Sequence, residues 1–291
     1  MTYALGLDIG GSTARAAVVE RETGRVVESR KYAWLERSPQ AVVDGTAELI
    51  RSLPATDGVV GVGFAGMLDG SVVVNAPNLG WRDVDFGGAL SRALNGRPVQ
   101  LINDLSAAAW GEYVAGAAKG VRDSLTVFAG TGVGSAIIAG GVLQTGASQV
   151  AGEFGHVKLF PEGGRRCGCG QDGCLEAYAG GAKLAEWMKE EGLEGGAGEL
   201  EALAAQGNAV AQKLYEFVAT QLALAIANQV TVLNPAVLVL GGGVLLRSPG
   251  LVARIREVVA RRSTVSSAKA VRVTMAQLGD DSGLVGAALL G

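Results

Sequence analysis

One histidine and three cysteines occur in 291 residues, and all four fall between positions 156 and 174. The segment reads Glu153-Phe-Gly-His156, then Cys167-Gly-Cys169-Gly-Gln-Asp-Gly-Cys174-Leu-Glu176, so His-x10-Cys-x-Cys-x4-Cys offers one imidazole and three thiolates. Zinc favours that donor set in a tetrahedral shell, and the interspersed glycines let the backbone wrap an ion. Buried free cysteines and an unconnected histidine are the plainer reading of the same residues. A disulfide framework fits less well, because three cysteines leave one unpaired and no secretory signal precedes them. Four protein ligands close the shell, so such a zinc would be structural; a hydrolytic zinc keeps one position for water.

Three glycine clusters each follow an apolar run: Asp8-Ile-Gly10-Gly11-Ser12-Thr13, Gly130-Thr131-Gly132-Val-Gly134 and Gly241-Gly242-Gly243. A Cβ would hold the backbone away from a phosphate, so such loops suit anionic oxygens, although ordinary hairpin turns use the same residues. No Gly-x4-Gly-Lys-Ser/Thr is present, and strand–Gly–strand is not the strand–Gly–helix context of a dinucleotide fold. Asp8 stands where a carboxylate could hold magnesium directly or through water; capping the turn is its other use. Leu101-Ile-Asn103-Asp104-Leu105 places two polar residues where an apolar strand meets a helix, the edge at which α/β proteins bind ligands. Phosphoryl transfer to an alcohol needs a carboxylate to accept the hydroxyl proton. Asp104 has that chemistry, or serves only as an N-cap worth about 1 kcal/mol to its helix. Glu153 and Glu176 flank the cysteine segment: drawn toward His156 they suit a polyhydroxyl ligand, and otherwise they are solvated surface acids.

These residues need elements to position them. Residues 3–9 form an apolar run, and Thr13–Glu20 and Arg25–Trp34 continue it as a three-stranded meander. Ser38 caps a helix that starts at Pro39 and runs to about Leu53. Gly58–Ala65 is a strand, Asp69-Gly70 centres a short hairpin, and Asn75–Trp81 is an ordered loop rich in turn residues. Pro98–Asn103 is a strand, and Asp104 caps a helix to about Ala115. Ser124–Ala129, the second glycine cluster and Ser135–Ala139 then repeat the opening pattern, which indicates an internal duplication. Helical segments follow at Gly181–Glu190 and Asn208–Leu233, then a strand at Ala236–Leu240, a helix near 250–262, a strand at Ala270–Ala276 and a helix from 281 to about 290. Alternating strands and helices of this kind specify an α/β protein with buried sheets.

The length suffices for two cores. A net charge of -3 provides no general attraction to nucleic acid or to an anionic membrane. Although 48% of residues are hydrophobic, glycines and charges interrupt each long apolar stretch. The expectation is a soluble, cytoplasmic protein whose partner is a small molecule or another protein.

Val127-Phe-Ala-Gly-Thr-Gly-Val-Gly-Ser-Ala-Ile-Ile-Ala-Gly-Gly141, Gly146, Gly152-Glu-Phe-Gly-His156 and the Cys-x-Cys-x4-Cys-Leu-Glu run together resemble the ROK family. That family contains sugar kinases and sugar-responsive repressors that share the two-lobed actin-like, hexokinase-like ATPase fold, a ribonuclease H-like duplication with its ligand cleft between the lobes. The resemblance spans essentially the whole chain. It implies a smaller lobe of residues 1–103 completed by the C-terminal helix, 281–291, and a larger lobe of residues 104–280 bearing the zinc segment 156–174.

By the same resemblance, Asp104 is the general base, with Asn103 beside it on the sugar, and Glu153, His156 and Glu176 bind sugar hydroxyls. His156 serves twice, one ring nitrogen on zinc and the other toward the sugar. Gly66 and Asn78 form another wall of the sugar pocket. Asp8, Gly10, Gly11, Ser12, Thr13, Gly130, Thr131, Gly132 and Gly134 belong to the site for Mg-ATP phosphates, and Gly242 and Gly243 contact adenosine. Many family members read Asp-x-Gly-Gly-Thr-Lys in the first loop; here Ser12-Thr13 keeps the hydroxyl and loses the lysine.

The implied activity is a cytoplasmic, homodimeric kinase that uses ATP, Mg2+ and structural Zn2+ to phosphorylate a hexose, with the 6-hydroxyl of glucose first and N-acetylmannosamine or other hexoses as alternatives. A repressor would need a DNA-reading helix, for which a first strand starting near residue 3 leaves no room. A catalytically silent sugar sensor is disfavoured by the retained Asp104 and phosphate loops.

Overall fold

Tyr3–Ile9 is apolar on both faces, and in the computed structural model, which describes residues 3–290, it is the central strand β1 of a five-stranded sheet. β2 (Thr13–Glu20) and β3 (Val26–Ala33) extend it on one side as the expected antiparallel meander. α1 (Pro39–Arg51) starts at its proline, and the Ser38 side chain accepts the Ala41 N–H. β4 (Val60–Phe64) lies parallel to β1. β5 (Met67–Asp69), β6 (Val72–Ala76) and β7 (Trp81–Val84) make a separate antiparallel sheet, α2 (Phe86–Ala93) follows, and β8 (Val99–Asn103) completes the main sheet in the order β3-β2-β1-β4-β8.

Two features here differ from the sequence expectation. Only 77–80 of the expected loop Asn75–Trp81 form a turn, closed by Leu79 N–H to Ala76 O (3.0 Å); Asn75 and Ala76 end β6, and Trp81 opens β7 with its ring against Phe64 and Phe86. The Pro, Asn and Gly residues marked the turn and hid the short strands on either side. α2 was not anticipated at all; Asp85 caps it, its Oδ1 accepting the Gly88 N–H at 3.0 Å.

α3 (Asp104–Val114) is capped by Asn103, not Asp104: Asn103 Oδ1 accepts the N–H groups of Leu105 (3.0 Å) and Ser106 (3.2 Å). An amide oxygen with extended backbone does this as well as a carboxylate, and Asp104 moves into the first turn.

The chain divides into two compact units, the first comprising Met1–Gly120, Leu143–Ala151 and Ala276–Gly291. The division differs from the expected boundary after residue 103, because α3 packs inside this first unit against the C-terminal helix Ser282–Ala288. Glycines allow that helix to lie on backbone: a Cβ at Gly286 would sit 1.7 Å from Ala107 O, and one at Gly61 would sit 1.8 Å from Ala287 O. Glu112, fully buried on α3, accepts N–H groups from Ala117, Gln277 and Leu278 and so fixes the segment that leads into the helix.

The second unit is Val121–Val142 with Gly152–Met275. β9 (Ser124–Ala129) and β10 (Val133–Ala139) form a hairpin, from which β11 (Val142–Gln144) leads out. After the cysteine segment come α4 (Glu176–Ala179), α5 (Gly181–Glu190), α6 (Ala197–Ala205) and α7 (Ala209–Leu233). β12 (Val237–Gly241), α8 (Gly243–Leu246), α9 (Pro249–Arg262), α10 (Val265–Ala270) and β13 (Arg272–Met275) finish the unit. Its strand order β10-β9-β12-β13 repeats β2-β1-β4-β8 in both sequence and direction, so the duplication is present in topology. α7 is long and apolar enough to cross a membrane by length and composition. Leu214, Val218, Leu222, Ile226 and Val230, four residues apart, nevertheless put one full stripe of it into the core of this unit.

Replacing Gly286 by valine forces Cγ atoms as well as Cβ into the α3 backbone, which cannot yield like a flexible side chain. A loss of about 3 kcal/mol or more is expected, at or above the usual overpacking penalty. Urea denaturation reads it, and a loss under about 1 kcal/mol would mean that the helix is not seated on backbone.

Candidate active site

In the first unit the chemistry-bearing residues gather at the carboxyl ends of parallel strands, where Ile9, Phe64 and Asn103 stand in register on β1, β4 and β8. The loop after β1 is braced at both ends: Gly10 N–H bonds Thr13 O (2.9 Å), Trp34 Nε1 donates to Gly10 O (3.0 Å) and Trp34 N–H to Ser12 O (3.0 Å). A Cβ at Gly11 would stand 2.5 Å from Cβ of Asn78, so glycine lets Asn78 lie against the loop. Asn103 Nδ2 donates to Gly66 O at 3.3 Å, which joins Gly66 to the same cluster. Asp104 Oδ1 accepts the Leu105 N–H at 2.9 Å, held at the helix start without carrying the cap.

Asp8, half-buried, is the acid at the end of β1. Burial pushes its carboxyl above the usual range, and Arg15, directly opposite on β2, opposes that rise. Arg15 itself donates to Asp280 O (2.7 Å) and Asp281 Oδ1 (2.5 Å). A carboxylate whose charged form is penalised by burial gains from a divalent cation, so Asp8 fits a magnesium ligand, direct or through water.

In the second unit His156, Cys167, Cys169 and Cys174 converge, their ligand atoms within 4.8 Å of one another. Cys169 and Cys174 sulfurs are 3.7 Å apart, and Cys167 Sγ is 3.7 Å from His156 Nδ1. A tetrahedral zinc with Zn–S bonds of about 2.3 Å separates neighbouring sulfurs by about 3.8 Å, so the donor set and its spacing fit zinc. None of the three cysteines is in a disulfide. Burial pushes the Cys167 thiol up to about 12. At Cys169 the desolvation that would raise it is outweighed by the Gln171 backbone N–H, the other two cysteines and Lys158, and its thiol falls below the ordinary value.

The histidine uses its two nitrogens differently: Nδ1 faces the sulfurs, while Nε2 lies 3.4 Å from Glu153 Oε2. Glu176 Oε1 reaches to 3.8 Å from Cys167 Sγ, and its Oε2 accepts the Val133 N–H at 3.0 Å. A Cβ on Gly132 would stand 2.3 Å from that Oε2, which explains glycine there. The three sugar candidates of the cysteine segment thus stand together at the metal-ligand cluster.

The Gly130 loop is tied to the start of α5, the helix after the one that Glu176 begins: Gly181 N–H bonds Gly130 O (2.8 Å), and Ala182 N–H bonds Thr131 O (3.0 Å). This junction opens on a cavity of about 520 Å³, lined by its Gly130, Thr131, Gly181 and Ala182, and by Gly196–Glu199, Gly243, Val244 and Arg247. Gly242 has φ +89 and approaches Ala129 O, so it shapes the turn that delivers Gly243 to the cavity. Gly134 lies away from this lining, in β10 opposite Phe128. Gly181, Ala182, Gly196–Glu199 and Arg247 were not singled out from sequence; the pairs Gly180-Gly181 and Gly195-Gly196 were the available signal, and they lack the apolar strand that announced the other loops.

Residues 4–291 match the model of the ROK family. A glucokinase of Streptomyces coelicolor is 33% identical over 99% of this chain and 97% of its own. An N-acetylmannosamine kinase of Shigella boydii is likewise 33% identical, over 98% of this chain and 97% of its own. A ROK family glucokinase from Streptomyces griseus, solved in complex with glucose and AMPPNP, superposes with a TM-score of 0.80 at 32% identity, covering 99% of both chains.

The purified protein is expected to hold one zinc per chain, and Cys174→Ser to lose it together with about 5 °C or more of Tm. Metal analysis showing well under one zinc, with Tm indifferent to a chelator, would remove the metal reading.

Proposed function

The chain belongs to the ROK family and is a sugar kinase, and from that premise we propose that it transfers the γ-phosphoryl group of Mg-ATP to the 6-hydroxyl of glucose, in the cytoplasm and as a homodimer. One observation carries this reading furthest: the Gly130–Gly132 loop lines the cavity with Gly130 and Thr131 and runs directly into Val133, whose N–H bonds Glu176. An acid that accepts hydrogen bonds and a loop with backbone beside a nucleoside-sized space are what an alcohol acceptor and a nucleotide donor require.

In this reading Glu153 and Glu176 take hydrogen bonds from sugar hydroxyls, Nε2–H of His156 donates one to a hydroxyl oxygen, and Asn103, Asn78 and Gly66 add polar contacts. Asp104, at the first turn of α3, accepts the proton of the attacking hydroxyl as the bond to phosphorus develops. Its place beside Asn103, at the carboxyl end of β8 with Gly66, supports this, because that is the edge where the other candidate sugar contacts of the first unit gather. The loops at Gly10–Thr13 and Gly130–Gly132 receive the phosphates, and the cavity lined by Gly243 receives the nucleoside. Magnesium held at Asp8 would neutralise charge on the donor phosphates. The zinc residues act by holding His156 in one orientation.

A second sugar is favoured by a specific finding: the N-acetylmannosamine kinase is as similar as the glucokinase. A coupled assay with ATP over glucose, mannose, N-acetylglucosamine and N-acetylmannosamine separates them, and a preference for an N-acetyl sugar would overturn glucose. Asp104→Ala should lower kcat by about 10²- to 10⁴-fold, the usual share of a general base, while calorimetry still detects the sugar. Sugar-dependent ADP release near the wild-type rate would show that Asp104 is not the base.

A further inference from the structure

The metal-ligand cluster gathers more negative charge than one zinc ion cancels. Three thiolates and a neutral imidazole around Zn2+ leave a single net negative charge. Two carboxylates stand close by: Glu176 Oε1 at 3.8 Å from Cys167 Sγ, and Glu153 at 3.4 Å from His156. Cys167 and Cys174 are buried, so water screens this charge poorly.

Arg165 and Arg166 of the same segment are engaged elsewhere. Arg165 makes a two-pronged pair with Glu190 and lies over the Trp187 ring, and Arg166 pairs with Asp172. Lys158 differs from both. Its Nζ donates to Cys174 Sγ at 3.1 Å and to Asp172 O at 2.8 Å. The placement is built into the backbone, where Lys158 and Cys174 face each other in an antiparallel bridge flanked by Leu175 N–H to Val157 O (2.9 Å) and Leu159 N–H to Gly173 O (2.8 Å).

We propose that Lys158 is the cationic partner of the metal–thiolate centre, a positioning residue whose ammonium bonds the Cys174 sulfur, offsets the negative charge of the site and lowers the sulfur's reactivity toward electrophiles. The inference rests on the metal reading of the cluster and is independent of which sugar is phosphorylated. A zinc-bound thiolate keeps a lone pair and remains a nucleophile. An N–H donor aimed at that lone pair withdraws electron density from it, and a charged donor does so more strongly than a neutral one. Because Lys158 is exposed and its stem lies outside the core, its replacement tests the bond without opening a cavity.

The test uses the full-length zinc-loaded protein, with zinc content measured first, and iodoacetamide in excess at fixed pH. Alkylation forms an S–C bond as iodide leaves with its electron pair; the Zn–S bond is given up, and a chelating dye reads the released Zn2+. Lys158→Met should release zinc about threefold to tenfold faster than wild type, as loss of one exposed charge-assisted hydrogen bond implies. Lys158→Arg, which keeps the charge, should stay near wild type, and Lys158→Gln, which keeps a donor without charge, should lie between. Equal release from wild type and Lys158→Met, or Lys158→Arg as fast as Lys158→Met, overturns the proposal. Absence of zinc from a protein that phosphorylates sugar overturns this inference and the metal reading while leaving the kinase intact.

Discussion

The hydrogen bond from Val133 N–H to Glu176 Oε2 is the contact on which the second unit's chemistry depends. It places a carboxylate against the hairpin exactly where the glycine loop turns into β10, and the carboxylate fits only because residue 132 has no Cβ. From that one bond three things follow. Glu176 begins α4, so the loop is joined to the helices behind it; Gly181 and Ala182 then bond the loop carbonyls, which fixes the wall of the cavity; and the other oxygen of Glu176 reaches the cysteine cluster. A backbone loop that binds phosphates must be rigid before the ligand arrives, since ordering it on binding would cost affinity. Here the loop is braced by an acid that also reaches the cysteine cluster.

The duplication explains why both units present ligands at the same place. Each has a hairpin followed by two parallel strands, and in each the carboxyl ends of the parallel strands carry the loops. Divergence lies in what was inserted. The first unit adds the small sheet β5-β6-β7, which brings Asn78 to the first glycine loop, and the second adds the cysteine segment. Common topology therefore sets the position of the glycine loops, and the insertions place further side chains beside them.

Much of this was legible from residue types because the strongest signals coincide with strong constraints. A chain with one histidine and three cysteines in nineteen positions leaves few alternatives to a metal cluster, and the ligand atoms do converge. Glycine at 10, 11, 130 and 132 follows apolar strands; at Gly11 a Cβ would run into Asn78, and at Gly132 it would displace the Glu176 carboxylate from its place. What escaped detection had weak local signals. β7 and α2 are short, with turn residues before and between them, and their stability comes from the Phe64–Trp81–Phe86 packing that no window of sequence shows. The cavity residues Gly196–Glu199 and Arg247 are far apart in sequence and meet only through helix packing. The exchange of cap between Asp104 and Asn103 is subtler. Both residue types cap helices, and the strand register, which ends at Asn103, decides between them.

That exchange puts two different groups at one helix start. With Asn103 in the cap, a neutral amide oxygen accepts from Leu105 and Ser106, and the Asp104 carboxylate, one residue further on in the first turn, also accepts from Leu105. The same division of labour recurs at the metal cluster. His156 gives Nδ1 to the sulfurs and keeps Nε2 beside Glu153, so the structural demand and the ligand-facing demand fall on different atoms of one ring. A flexible histidine would sample several rotamers and would pay for choosing one when a hydroxyl arrived. A closed tetrahedral shell removes that freedom beforehand, which is a use for zinc that needs no open coordination position and no chemistry at the metal.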